Sequence, residues 1–126
     1  MQKKKILVID DEEGFLKLVK LILERTGSYT VQTASDGVTG FAAMATFQPD
    51  LILLDVMLGG DDGAEIARQI EADETLKHVP IIFVTGLVTK EESAATGGFI
   101  GQHTFLAKPI SAQELIARVE ESLQTS

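Results

Sequence analysis

Four short apolar runs, none of them alternating with polar residues, set the strongest limit on how this chain can fold. They are Ile6-Leu7-Val8-Ile9, Leu51-Ile52-Leu53-Leu54, Ile81-Ile82-Phe83-Val84 and the weaker Phe105-Leu106-Ala107. A strand with one wet face alternates, whereas a continuous run of this length reads as a strand covered on both faces, as in a parallel sheet. Tyr29-Thr30-Val31-Gln32-Thr33 is β-rich but half polar and is expected at a sheet edge. Helical patterns lie between the runs. Glu13–Arg25 places Leu16, Val19, Ile22 and Leu23 on one face and closes at Thr26-Gly27. Asp36 is the expected N-cap of a helix carrying Val38, Phe41, Ala42 and Ala45, which must stop before Pro49. Residues 62–72 offer Ile66, Ala67 and Ile70. Ser111 caps the last helix, with Glu114 as its capping-box partner and Leu115, Val119 and Leu123 at intervals of four. Over 89–99 the pattern predicts a short, poorly anchored helix, because Gly97 and Gly98 each cost about 1 kcal/mol relative to alanine. Strand and helix alternate five times, which argues an open α/β sheet with helices on both faces.

Composition narrows the class. With 126 residues, 44% apolar and 24% charged, the chain suits one folded domain over 1–126. The absence of cysteine excludes disulfides, thiolate zinc sites and cysteine nucleophiles. Eleven basic against nineteen acidic residues give a net charge of −8, which would repel a phosphate backbone, so no direct nucleic-acid contact is expected. Lys3-Lys4-Lys5 precede an apolar run too short for a secretory signal, and no stretch approaches the roughly twenty apolar residues that cross a bilayer. The expected compartment is the cytoplasm, with no membrane partner.

Each apolar run ends in a polar residue: Asp10-Asp11, Asp55, Thr85 and Lys108. In open parallel α/β sheets ligands sit outside the carboxyl ends of the strands, so all four endings fall on the ligand-binding edge. Taken singly, each has a mundane reading: solvated loop charges, a helix cap, a turn residue, a surface lysine. Together they form a chemical unit. Carboxylates about 4 Å apart repel by roughly 4 kcal/mol per pair at an effective dielectric near 20. Three negatives and one positive leave a deficit that a hard divalent cation neutralises, and oxygen ligands without histidine or thiolate point to Mg²⁺. Such a site can hold a phosphoryl group, with Lys108 and the Thr85 hydroxyl on its oxygens and a carboxylate as acceptor.

At this point the chain resembles a response-regulator receiver domain of two-component signalling, over essentially its whole length. The resemblance is carried by Val8-Ile9-Asp10-Asp11, by Leu53-Leu54-Asp55 with Gly63 eight residues on, by Val84-Thr85-Gly86, and by Phe105-Leu106-Ala107-Lys108-Pro109. It implies a doubly wound five-stranded parallel sheet of order 2-1-3-4-5, the flavodoxin-like (βα)5 arrangement. It implies that Asp55 accepts a phosphoryl group from a sensor histidine kinase or a histidine phosphotransfer protein. Asp11, Asp55 and the Met57 backbone carbonyl would ligate Mg²⁺, with Asp10 acting largely through water. Lys108 would pair with the phosphoryl oxygens, and a cis peptide would join it to Pro109. Thr85 and Phe105 would be the switch residues, altering a face of the fourth helix, fifth strand and fifth helix for a downstream protein. Such a domain is no enzyme beyond its own phosphorylation and dephosphorylation.

Some positions depart from the family pattern. Gly59-Gly60 stand where a proline is usual, the spacing from Thr85 to Lys108 is one residue longer than common, and Ile100-Gly101-Gln102 replace Ala-Gly-Ala. Met57 and Leu87, each two residues past a pocket residue, are apolar and cannot orient an attacking water, so slow self-dephosphorylation is expected. Two other functions compete. A receiver-like scaffold would bind partners without phosphorylation, but it would be free to lose some of the five pocket residues. A haloacid-dehalogenase-type phosphatase wants an aspartate where Met57 stands, and a cap domain for which 126 residues leave no room. His78 and His103 read as isolated surface or hydrogen-bonded histidines, and Glu12 as a neighbour of the acidic pair. With Met1 at one end and Ser126 just past the last helix, a stand-alone receiver and a piece of a longer regulator or hybrid kinase are both open.

Overall fold

The computed structural model of the chain describes residues 3–58, 61–86, 99–100 and 103–125. In chain order the elements are β1 (Lys4–Ile9), α1 (Glu13–Arg25), β2 (Tyr29–Ala34), α2 (Gly37–Phe47), β3 (Leu51–Asp55), β4 (Met57–Leu58) and β5 (Asp61–Asp62). They continue with α3 (Gly63–Ala72), β6 (Ile81–Thr85), β7 (Phe99–Ile100), β8 (His103–Ala107) and α4 (Ala112–Thr125).

The apolar runs form the inner strands of one sheet in the order β2-β1-β3-β6-β8-β7. The first five are parallel, which is the expected 2-1-3-4-5 arrangement, and half-polar β2 takes an edge. Side chains along a strand point alternately to the two faces, so each run feeds two cores. Ile6, Val8, Leu51, Leu53, Ile82, Val84 and Leu106 pack with Leu16, Val19 and Leu23 of α1 and Leu115 and Val119 of α4. Leu7, Ile9, Ile52, Leu54 and Phe83 pack on the other face with Ala43 and Met44 of α2 and Ile66, Ala67 and Ile70 of α3. Each fully buried Leu or Ile contributes roughly 1.5–3 kcal/mol over an exposed one, which is why continuous runs are needed.

The expected caps form. Asp36 accepts from the Thr39 amide at 2.8 Å, and Ser111 Oγ accepts from the Glu114 amide at 3.1 Å. Helix α1 ends where Gly27, at φ +81°, takes the left-handed conformation and its amide bonds the Glu24 carbonyl.

Two expectations change. Helix α2 does not bury Val38, Ala42 and Ala45: Val38 is 80% exposed, Phe41 is half-buried, and the covered face is Gly37, Gly40, Ala43 and Met44. A Cβ at Gly40 would meet Ile9 Cδ1 at 2.8 Å, so the glycine face lets this helix sit close to the sheet. Phe99 does not end a helix but begins β7, an antiparallel strand that pairs Phe99 with Thr104 and Ile100 with His103 and widens the sheet to six strands. The rest of the helix expected over 89–99, and Gly59-Gly60, lie outside the described residues. Among the described residues no helix is long and apolar enough to cross a membrane.

Candidate functional site

The ends of four parallel strands lie along one edge of the sheet. Asp10 follows β1, its amide bonded to the Ala34 carbonyl at 3.1 Å, and its side chain is 1% exposed. Asp55 closes β3 in register with Val84 and is 6% exposed. Thr85 ends β6 opposite Ala107. Lys108 follows β8, and the Lys108–Pro109 peptide is cis, as expected. An apolar strand in the sheet centre fixes its last residue from both sides, so this local order follows from the burial that made the runs continuous.

Lys108 ties the group together. Its Nζ lies 2.8 Å from Asp10 Oδ2, 2.7 Å from Glu12 Oε1 and 3.4 Å from Asp55 Oδ2. It also stands 4.5 Å above the centre of the Phe15 ring, close enough for a cation–π contact. Burial would lower the ammonium's pKa. Its contacts with Asp10 and Glu12 and the charges of Asp10 and Asp55 outweigh that and raise it above the ordinary 10.5. Asp10 Oδ1 accepts from the Glu12 amide at 2.9 Å. The approach of Lys108 to Asp10 Oδ2 lacks hydrogen-bond geometry, so this buried oxygen is held by charge alone.

Asp10, Asp11, Glu12 and Asp55 each offer a carboxylate oxygen, all within 4.8 Å of one another. The set is all oxygen, partly buried, and includes one oxygen committed to no donor. That fits a hard divalent cation and does not fit zinc or copper, which favour nitrogen and sulfur. Asp10, Asp11, Asp55 and Lys108 were named from sequence, and the structure brings them together. Met57 lies on β4, in the small antiparallel pair with β5, and Thr85 closes β6 of the main sheet, while Leu87 falls outside the described residues. Phe105 is half-buried, its ring stacked 5.1 Å from that of Phe83. A groove of about 470 Å³ between α2 and the segment after α3 is lined by none of these residues, and Asp73 there is engaged by Thr75.

Glu12 and Phe15 were missed as partners of Lys108. The available signal was their place one and four residues past Asp11, on the loop and first turn that must pass the pocket mouth.

Gly63 explains its own presence. Its amide donates to the Val56 carbonyl at 2.9 Å, and a Cβ there would strike the Asp55 carbonyl oxygen and lie 2.7 Å from Val56 Cα. Only a residue without a side chain lets the start of α3 close on the end of β3.

Comparison with known proteins agrees with this geometry. The chain is 41% identical over 123 residues to the alkaline phosphatase synthesis transcriptional regulatory protein PhoP of Bacillus subtilis, covering 98% of this chain and 50% of that relative. It is 32% identical over 122 residues to the polar-differentiation response regulator DivK of Brucella ovis, covering 95% and 96%. The chain thus spans half the length of the first relative and nearly all of the second. The crystal structure of a CheY-like response regulator receiver domain protein from Methanospirillum hungatei superposes with a TM-score of 0.81 at 27% identity, over 98% of this chain and 96% of that one. The response regulator receiver domain, as a family, matches residues 6–120. With the fold, the strand-end pocket and these likenesses in agreement, the chain belongs to the response regulator receiver domain family of two-component signalling.

Proposed function

We propose that the chain is a phosphorylation-controlled switch in which Asp55 accepts a phosphoryl group from a histidine kinase or histidine phosphotransfer protein. The observation that carries this reading is a buried Asp55 carboxylate 3.4 Å from Lys108, beside three further carboxylates. In the transfer, an Asp55 oxygen forms the O–P bond as the P–N bond to the donor imidazole breaks. The imidazole leaves with the electron pair and the product is an acyl phosphate. Asp11, Asp55 and the Met57 carbonyl would hold Mg²⁺, with Asp10 acting largely through bound water, and the ion would supply charge neutralisation for the phosphoryl oxygens. Lys108 binds one phosphoryl oxygen and Thr85 another. Phe105 and the surface of β8 and α4 carry the change to a downstream protein in the cytoplasm. Burial of a carboxylate beside a lysine favours this over a phosphorylation-independent scaffold, for which the pocket would be a standing electrostatic cost.

The test is intact mass after incubation with acetyl phosphate and Mg²⁺, for wild type and Asp55→Asn. The expected result is a gain of about 80 Da, one phosphoryl group, in wild type alone, absent without Mg²⁺. No gain with acetyl phosphate or with a phosphorylated histidine donor supports the scaffold instead.

A further inference from the structure

Lys108 does not sit squarely on the acceptor. Its ammonium is 2.7 Å from Glu12 and 3.4 Å from Asp55, and it lies over the ring of Phe15, so two contacts draw it toward the α1 side of the pocket. Glu12 follows β1 and lies just before α1, with its side chain 63% exposed at the pocket mouth. Buried Asp10 reaches the same ammonium at 2.8 Å. A phosphoryl group on Asp55 needs this cation, and whatever holds the cation elsewhere competes with it.

We infer that Glu12 is a positioning residue, a latch that holds Lys108 away from Asp55 and is displaced when a phosphoryl group arrives. The inference rests on the phosphoacceptor reading and adds a threshold to it. Glu12 and the incoming phosphoryl oxygens offer the ammonium alternative partners, so weakening the first strengthens the second. The pair is half in water, so the effect is modest: freeing Lys108 raises phosphorylation by about fivefold at most. The same freedom slows loss of the phosphoryl group by a similar factor, because a paired lysine stabilises the acyl phosphate.

Three variants separate the latch from its rivals. Glu12→Gln removes the charge and Glu12→Asp keeps it while shortening the reach by one methylene. Lys108→Met removes the partner. The first readout is the ammonium resonance of Lys108 in ¹⁵N-lysine-labelled protein, which a firmly held lysine shows and a freely solvated one loses to exchange. It needs no phosphorylation. The second is the rate of mass gain with acetyl phosphate, split into the half-saturating donor concentration and the limiting rate, beside a Mg²⁺ titration.

The latch predicts that Glu12→Gln and Glu12→Asp both weaken the ammonium signal and both lower the half-saturating donor concentration. It also predicts an unchanged Mg²⁺ requirement, and no effect of either change in the Lys108→Met background. If Glu12→Asp behaves as wild type while Glu12→Gln is faster, Glu12 merely repels the anionic donor and the latch is overturned. Weaker Mg²⁺ binding in both variants makes Glu12 a metal ligand, which also overturns it, as does an effect that survives in Lys108→Met. A wild type that gains no mass refutes the phosphoacceptor reading itself, and the ammonium signal then still decides whether Glu12 holds Lys108.

Discussion

A side chain at position 63 would occupy space already filled by the backbone that carries Asp55. Gly63→Ala must therefore push the start of α3 away from the end of β3. The expected cost is about 2 kcal/mol or more in chemical denaturation, with a larger loss in phosphorylation rate than in stability, because the displaced atoms belong to the acceptor's own strand. A second residue-scale expectation concerns signal lifetime. Met57 and Leu87 carry no group able to orient water, so the phosphorylated wild type should lose its phosphoryl group over many minutes or longer when followed by intact mass. Loss within seconds, without an added phosphatase, would show that another group orients the water. At this scale the pocket was legible because each of its residues ends an apolar run, and burial fixes where such a run stops. Glu12 and Phe15, as partners of Lys108, were not. Glu12 and Lys108 are 96 positions apart, and only the finished strand order places α1 beside the loop after β8.

Helix α2 shows where apolar patterning loses its grip. Its covered face is set by two glycines, an alanine and a methionine, and glycine carries no hydropathy signal even when it marks the closest approach of helix to sheet. The cap of the same helix was legible, because Asp36 announces its chemistry locally. Hydrogen bonds from the Thr39 amide and hydroxyl lower the Asp36 pKa below its ordinary 3.8. A depressed folded-state value means that the cap's stabilisation is complete above the unfolded pKa and fades as pH falls through the folded one. The melting-temperature gap between wild type and Asp36→Ala should therefore be constant from pH 7 to 5 and narrow below about pH 4. A gap unchanged at pH 3 would mean that the carboxylate charge is not what caps α2. Strand β7 was illegible for a different reason. Two residues between glycine-rich neighbours give no period to read, and their strand character comes from pairing with β8.

Across the whole molecule the net charge of −8 and the carboxylates of the pocket act in the same direction, and a divalent cation relieves both. At about a hundred times its dissociation constant, Mg²⁺ should stabilise the domain by about 2.7 kcal/mol, a rise in Tm on the order of 10 °C. NaCl at equal ionic strength should not reproduce it, and Asp11→Asn or Asp55→Asn should abolish most of it. An equal rise in those variants would trace the effect to general screening. Beyond charge, the position of β3 has its own consequence. It lies between β1 and β6, and all five of its side chains are buried. Its amides can meet deuterium only when the domain opens as a unit, so they should be among the last in the protein to exchange. The Asp55 carboxylate is thus mounted on the segment least free to relocate, and under the proposed phosphoacceptor role information would enter the molecule through what comes to that carboxylate rather than through any travel of its own.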